Sequence, residues 1–185
     1  MTGIGGQGIQ LIAKLLAQAG MREGRQVMMF GLFMGMIRGG SSESTVVIAD
    51  EEVAAPPLVP SAWAVLAMHP EGLAKAAGKL ERGGMLLTNS SLVTEPPRCE
   101  GVSRLAVPAS EMAKELGQVM GAGMVALGAL AAATGIVSAA ALEAALGDVL
   151  PPHRRKLIDT NRLCLARGAE YAAQSAAGSA PRAWG

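Results

Sequence analysis

The chain opens on Gly3-Ile4-Gly5-Gly6-Gln7-Gly8, a glycine-rich loop that is followed directly by the apolar run 9–19. Glycines at this density let the backbone adopt positive φ and come close to a partner. Apolar residues recur along 9–19 at helical spacing, so the run predicts a helix whose first free N–H groups face the loop. An anion or a polar partner surface would fit at that point.

Further along the chain, apolar segments of strand length alternate with helical patterns. Buried strands that alternate with helices indicate an α/β fold, here a Rossmann-like three-layer domain with a mostly parallel sheet. Because only Met1 and Thr2 precede the glycine loop, the first strand is expected to be truncated or missing. A single domain is expected over 1–185, with an irregular tail from about 175. Strands are predicted at 26–30, 44–49, 62–68, 85–88 and 103–107, a long loop at 31–42, and helices at 73–80, 110–117 and 152–174.

The segment 119–142 contains no ionisable residue and is long enough to span a membrane. It consists mostly of Ala and Gly, however, and Gly135 with Ser138 has the pattern of a helix stop followed by a new N-cap. The segment therefore predicts two short buried helices and no membrane span. Small residues such as Gly121, Gly123 and Gly128 would let the first of them approach a neighbouring element closely.

The composition argues against nucleic acid as a partner. Lysine and arginine number 16 against 15 acidic residues, and only 3% of the residues are aromatic. The chain thus lacks both a general attraction for phosphate backbones and the usual stacking platforms.

Cys99 and Cys164 are the only cysteines and lie far apart in the sequence. They cannot form a disulfide framework or a four-ligand zinc or iron–sulfur site by themselves. No basic and apolar leader pattern precedes the glycine loop, so a cytoplasmic protein is expected.

Gly3, Gly5 and Gly8 fit the three spaced glycines of a dinucleotide-binding loop. Such a site also needs an acidic residue about 20 residues further on to hold the ribose hydroxyls. Phe30 and Gly31 occupy that position. The pattern is that of a degenerate or repurposed Rossmann-like N-terminal segment.

A second loop carries Arg38-Gly39-Gly40-Ser41 beside several methionines. Exposed methionines suit a surface that adapts to a partner, and the planar guanidinium of Arg38 could bind a carboxylate or a phosphate. An ordinary loop with a solvated arginine explains the same residues equally well.

Asn89-Ser90-Ser91 follows a predicted strand. Binding groups are often found at this end of an α/β sheet, whereas Asn-Ser-Ser is also typical of a turn and a helix cap. Capping is the favoured interpretation, and binding stays open.

The last predicted helix places Asn161 on its apolar side, where its amide is expected to tie the helix to a neighbouring backbone group. Arg154, Arg155 and Lys156 precede it and are interpreted as a solvated first turn.

Six motifs in order resemble the gamma subunit of the 2-oxoacid:ferredoxin (acceptor) oxidoreductases, which include the pyruvate, 2-oxoglutarate and ketoisovalerate enzymes. They are G-x-G-G-Q-G, R-G-G-S, G-G-M-L-L-T-N-S-S, V-P-A-S-E-M-A-K-E-L-G, M-V-A-L-G-A-L and a final helix with D-T-N-R. The resemblance runs from Gly3 to about Gly168.

The resemblance implies a subunit of an enzyme that oxidatively decarboxylates a 2-oxoacid to an acyl-CoA and passes electrons to ferredoxin. Thiamine diphosphate, Mg²⁺ and the iron–sulfur clusters are expected on the alpha and beta subunits, and on a delta subunit in complexes that have one. Coenzyme A is the co-substrate. The resemblance assigns no catalytic residue or metal ligand to this chain.

The two loops and the Asn-Ser turn are the expected cofactor-binding positions, close to a subunit interface and the CoA and substrate entrance. A free-standing dinucleotide- or flavin-binding domain is the alternative, and a purely structural scaffold is a third interpretation. The expected positions are Gly3, Gly5, Gly6, Gln7, Gly8, Arg38, Gly39, Gly40, Ser41, Asn89 and Ser90.

The sequence departs from the family in two respects. Family members usually have a full strand before the glycine loop, so the chain is expected to start from a late start codon. They also tend to carry Asn where Gly123 stands, so any polar contact of that Asn is lost.

Overall fold

The structure is a computed structural model and describes residues 1–33, 40–53 and 59–175. Strands with two helices between them make up the described chain to residue 107, and the part from 109 onward is helical, including two 3₁₀ helices, Val119–Gly121 and Pro152–Leu157. The elements are β1 (Thr2–Ile4), α1 (Ile9–Arg22), β2 (Gln26–Phe33), β3 (Ser41–Ala49), β4 (Ala62–Ala67), α2 (Leu73–Ala77), β5 (Leu80–Asn89), β6 (Ser103–Val107), α3 (Ala109–Glu115), α4 (Ala122–Thr134), α5 (Ala139–Val149) and α6 (Ile158–Ser175).

The described strands form one six-stranded sheet in the order β2-β3-β1-β4-β5-β6. Strands β1, β4, β5 and β6 are parallel, whereas β3 runs antiparallel to both of its neighbours. The three-layer Rossmann-like fold with a mostly parallel sheet is thus confirmed. Strand β1 is present but has only 3 residues, although it occupies a central position in the sheet.

Side chains of the central strands alternate between two apolar cores, as the two-residue period of a strand requires. Leu66 of β4 and Leu87 of β5 belong to the large core, which also contains α1 and the helices from α3 onward. Val65 and Leu86 belong to a smaller core on the opposite face, beneath α2. Because these strands are buried on both faces, they read as continuous apolar runs in the sequence.

The Ala-rich segment forms two helices that are separated where the sequence predicted. Gly135 ends α4 with a left-handed φ of 66°, and the hydroxyl of Ser138 accepts a hydrogen bond from the Ala141 N–H at the start of α5. Both features are ordinary helix signals. None of the helices in the described part of the chain is long and apolar enough to cross a membrane.

Helix α4 crosses α6 with almost no space between the backbones. A Cβ atom at Gly128 would fall on the carbonyl oxygen of Leu165, and one at Gly168 would fall on that of Val125. The expectation that small residues allow a close approach is therefore confirmed for Gly128.

Several predicted boundaries were wrong. The loop 31–42 is shorter than expected, because β2 continues to Phe33 and β3 begins at Ser41 as the two strands pair residue by residue. Ser41 is therefore a strand residue. Residues 34–39, including Arg38 and Gly39, lie outside the described part. The helix predicted over 73–80 ends at Ala77, because Leu80 already belongs to β5.

Candidate functional site

The glycine loop connects the C-terminal end of β1 to α1. Gly6 and Gly8 have φ values of 96° and 74°, a region that L side chains rarely adopt. Gly8 is the N-cap of α1 and supplies no side-chain hydrogen bond to the first turn. The first N–H groups of α1 are thus left without a capping side chain, which is the arrangement that the sequence predicted.

Gln7 holds this loop in shape. Its Oε1 accepts a hydrogen bond of 3.0 Å from the Ile4 N–H, and its Nε2 donates one of 3.2 Å to the Met68 carbonyl at the end of β4. A Cβ atom at Gly3 would lie 2.5 Å from the Gln7 Oε1. Gln7 therefore fixes the loop against the sheet, Gly3 leaves room for its side chain, and the backbone at Gly6 and Gly8 is exposed.

A cavity of about 450 Å³ opens beside the loop. The loop and the start of α1 form one wall, and the two 3₁₀ helices with the start of α6 form the other. The lining residues include Gly5, Gly6, Gly8, Gln10, Ser42, Gln118, Met120, Arg154, Leu157, Thr160 and Asn161.

Arg154 is the one cation among the described residues that line this cavity. Within the described residues, no salt bridge or hydrogen bond engages its guanidinium, and the residue is exposed. The sequence predicted only a solvated turn at 154–156. The sequence alone does not show that the segment before α6 lies beside the glycine loop in the folded chain. The run of three cations 154–156 was the available signal.

Asn161 also lies on the cavity wall. The predicted tie between its amide and a neighbouring backbone group is not found among the described residues. Its side chain is therefore available on the same wall as Arg154 and Thr160.

The end of the second loop meets the first. The Gly40 carbonyl accepts a 2.9 Å hydrogen bond from the Gly5 N–H, and Ser41 lies opposite Ile4 in the sheet. Ser42 follows on the cavity wall. The structure thus brings Gly40 and Ser41 to the glycine loop.

Gln10 connects α1 to the neighbouring strand, and the sequence had not marked it. Its Nε2 donates a 2.9 Å hydrogen bond to the Glu43 carbonyl, and its Oε1 accepts one of 2.9 Å from the Ser44 hydroxyl. These bonds fix the first turn of α1 against β3.

Asn89 is fully buried and uses its amide inside the protein. Its Nδ2 donates to the Ser110 Oγ at 2.9 Å and to the Met68 carbonyl at 3.4 Å, while its Oδ1 accepts from the Ser110 N–H. This geometry fits the favoured capping interpretation, here of α3. The Met68 carbonyl also links Asn89 to Gln7. Ser90 follows at the same sheet edge, with its N–H bonded to Val107.

The described residues bring no three side chains of His, Cys, Asp or Glu together as a metal site requires. Cys99 and Cys164 are both free thiols. Burial raises the pKa of the Cys164 thiol, because the apolar surroundings disfavour the thiolate.

The contacts of Gln7 predict a measurable loss of stability. Gln7→Ala removes two hydrogen bonds, so we expect the free energy of unfolding to fall by about 1–2 kcal/mol. Gln18→Ala is the matched control, since among the described residues the Gln18 amide makes one hydrogen bond, an exposed one of 3.3 Å to the Asp148 carboxylate. Denaturant unfolding of both variants measures the difference, and equal stability would refute the bracing role of Gln7.

Known proteins similar to this chain show the family to which it belongs. The sequence model of the family described as pyruvate ferredoxin/flavodoxin oxidoreductase matches residues 1–171. The chain belongs to this family. It is 35% identical over 159 residues to a 2-oxoglutarate synthase subunit, KorC, of Methanothermobacter thermautotrophicus, covering 82% of this chain and 84% of that protein.

Two solved structures extend the similarity to the fold. The gamma subunit of a keto/oxoacid ferredoxin oxidoreductase from Geobacter sulfurreducens has a TM-score of 0.79 and 31% identity, covering 94% of this chain and 96% of that one. A 2-oxoglutarate:ferredoxin oxidoreductase from Magnetococcus marinus, with 2-oxoglutarate, coenzyme A and succinyl-CoA bound, has a TM-score of 0.86 and 25% identity. The match covers all of this chain but 32% of the longer one. The resemblance to gamma subunits is confirmed, and it supports an enzyme subunit over a free-standing dinucleotide-binding domain.

Proposed function

We propose that this protein is the gamma subunit of a cytoplasmic 2-oxoacid:ferredoxin oxidoreductase, which converts a 2-oxoacid and coenzyme A to an acyl-CoA. The observation that carries the proposal is the family match over 1–171, together with the likeness to gamma subunits. Thiamine diphosphate, Mg²⁺ and the iron–sulfur clusters belong to the alpha, beta and, where present, delta subunits. Ferredoxin receives the electrons through the complex.

The glycine loop and the end of the second loop form the part of this subunit that faces the coenzyme A entrance. Three features of the cavity support that role: uncapped N–H groups at the start of α1, the cation of Arg154 and the amide of Asn161. N–H groups at a helix start and a guanidinium both favour phosphate. Ser90 lies farther along the same sheet edge and remains a proposed contact, whereas the buried Asn89 acts through its hydrogen bonds to Ser110 and the Met68 carbonyl.

A substitution at Arg38 tests the position of this interface, because Arg38 precedes by two residues in the sequence Gly40, whose carbonyl bonds to the Gly5 N–H. Arg38→Ala is expected to weaken assembly of the complex or to raise the KM for coenzyme A in the assembled enzyme. Arg98→Ala, an exposed arginine in the turn between β5 and β6, is the matched control and is expected to change neither.

The same assay separates the alternatives. A scaffold role predicts poorer assembly with an unchanged KM for coenzyme A. A free-standing domain predicts saturable binding of a dinucleotide or a flavin by the isolated chain. An intact and fully active Arg38→Ala complex would contradict the proposed role of this loop.

A further inference from the structure

The two faces of the β2–β3 hairpin have different surroundings. A Cβ atom at Gly31 would fall on the Gln10 side chain, and Val27 packs against the large core, so the odd-numbered positions of β2 face α1. Because successive residues of a strand point to opposite faces, the even-numbered positions point away from α1. The outer face of the hairpin is therefore formed by side chains that cross-strand pairing brings together: Met28, Phe30 and Leu32 of β2, with Thr45 and Val47 of β3.

Within the described part of the chain, no helix covers this outer face. Helix α2 lies on the same side of the sheet, but it packs mainly against β1, β4 and β5, away from the hairpin. Met28, Phe30 and Val47 are partly exposed and belong to neither apolar core, and Leu32 is 48% exposed. A contiguous apolar patch of this kind is typical of an interaction surface.

Strand β2 is also an edge strand without the usual protection. It lies at one end of the described sheet and has 8 residues, none of them charged and none of them proline. Its pairing with β3 continues along the whole strand without a bulge. Charged residues, prolines and bulges are the features that keep a sheet edge from pairing with another chain. Their absence from β2 indicates an edge that is covered in the assembled protein.

The charges at the two ends of this face are already paired within the chain. Arg25 bonds to Asp50 at 3.0 Å at one end, and the Lys75 ammonium lies 3.3 Å from the Glu43 carboxylate at the other. The face between these ion pairs is uncharged. A charged partner surface would lose its hydration there without gaining a counter-charge, so the face fits an apolar, uncharged surface.

We propose that the outer face of the hairpin docks an apolar, uncharged surface of another subunit of the same enzyme. This inference rests on the proposed function. The face is continuous with the glycine loop, because the Gly40 carbonyl, directly before β3, accepts a hydrogen bond from the Gly5 N–H.

The size of the face argues against a second copy of this chain as the occupant. Five partly buried side chains expose much less than the roughly 800 Å² that each partner of a stable interface buries. A second copy bound through this face alone would therefore dissociate, whereas a subunit that also contacts the glycine loop buries more. The equivalent of this chain in Magnetococcus marinus is 32% of a longer polypeptide. Such a fold unit thus occurs joined to protein of different sequence, which here would be a separate subunit.

Leu32→Lys tests the proposal in the tagged chain, purified from its native host. Glu43 lies opposite Leu32, so the lysine has a counter-charge in the free chain, but docking would remove water from both charges. We expect the amount of copurifying subunits to fall by about tenfold or more. Leu163→Lys is the matched control, because Leu163 is 51% exposed, belongs to α6 on the other side of the sheet and does not line the cavity. The control is expected to retain its subunits, and unchanged copurification with Leu32→Lys would overturn the proposal.

Hydrogen exchange supplies a readout that needs no variant and decides the matter if both lysine variants lose their subunits. We expect the amides of 26–32 and 43–49 to exchange about tenfold or more slowly in the wild-type complex than in the free chain. Equal exchange would overturn the proposal.

The outcomes also separate this inference from the proposed function. A wild-type chain that purifies alone contradicts the proposed function and this inference with it. A complex that Leu32→Lys leaves intact contradicts only the docking face. A free wild-type chain that elutes as a dimer, and that Leu32→Lys makes monomeric, would overturn the proposal in favour of a second copy.

Discussion

Gly168→Ala is expected to lower the free energy of unfolding by about 2–3 kcal/mol, because overpacking forces well-packed elements apart. The added methyl group would fall on the Val125 carbonyl, where α6 crosses α4, so the helices must separate. Gly128→Ala meets the Leu165 carbonyl at the same crossing and should have a similar effect. For a chain of this size the loss corresponds to a fall in Tm of about 4–12 °C.

Gly147→Ala is the matched control for this prediction. Gly147 lies within α5, and a Cβ atom there would have nothing within 4 Å. Alanine is a better helix former than glycine, so the free energy of unfolding should stay the same or rise by up to about 1 kcal/mol. If Gly168→Ala and Gly147→Ala proved equally stable, the close crossing of α4 and α6 would be wrong.

The second large effect concerns Arg154 and the binding of coenzyme A. A hydrogen bond to a charged group contributes about 1.5–3 kcal/mol. Arg154→Ala should therefore raise the KM for coenzyme A of the assembled enzyme by about 10- to 150-fold. The kcat should change little, because a contact with a remote phosphate is the same in the ground state and the transition state.

Arg155→Ala controls for the loss of a positive charge from the same 3₁₀ helix, since Arg155 is exposed and does not line the cavity. Steady-state kinetics with varied coenzyme A measures both variants. A KM for Arg154→Ala within about twofold of the Arg155→Ala value would exclude a phosphate contact at this position.

The sequence predicted features that are encoded by local signals. The glycine loop before α1, the stop at Gly135 and the N-cap at Ser138 each depend on a few adjacent residues. Strand β6 was predicted with its observed bounds, Ser103–Val107, because Gly101 lies shortly before it and Pro108 follows it directly.

Features that depend on distant residues could not be predicted in this way. The extension of β2 and β3 comes from pairing across the hairpin, which outweighs the local preference of Gly31 and Ser41 for a loop. Arg154 lies at the candidate site because α6 packs against α4. This packing places the 3₁₀ helix before α6 next to the glycine loop. The same packing places Asn161 on the cavity wall, where no described backbone group bonds to its amide.

The most direct test of the proposed function is an anaerobic pull-down of the tagged chain from its native host, with mass spectrometry of the proteins that copurify. We expect partners that carry thiamine diphosphate and iron–sulfur motifs, in a preparation that reduces ferredoxin when given a 2-oxoacid and coenzyme A. A chain that repeatedly purifies alone, without such partners or this activity, would contradict the assignment as a gamma subunit.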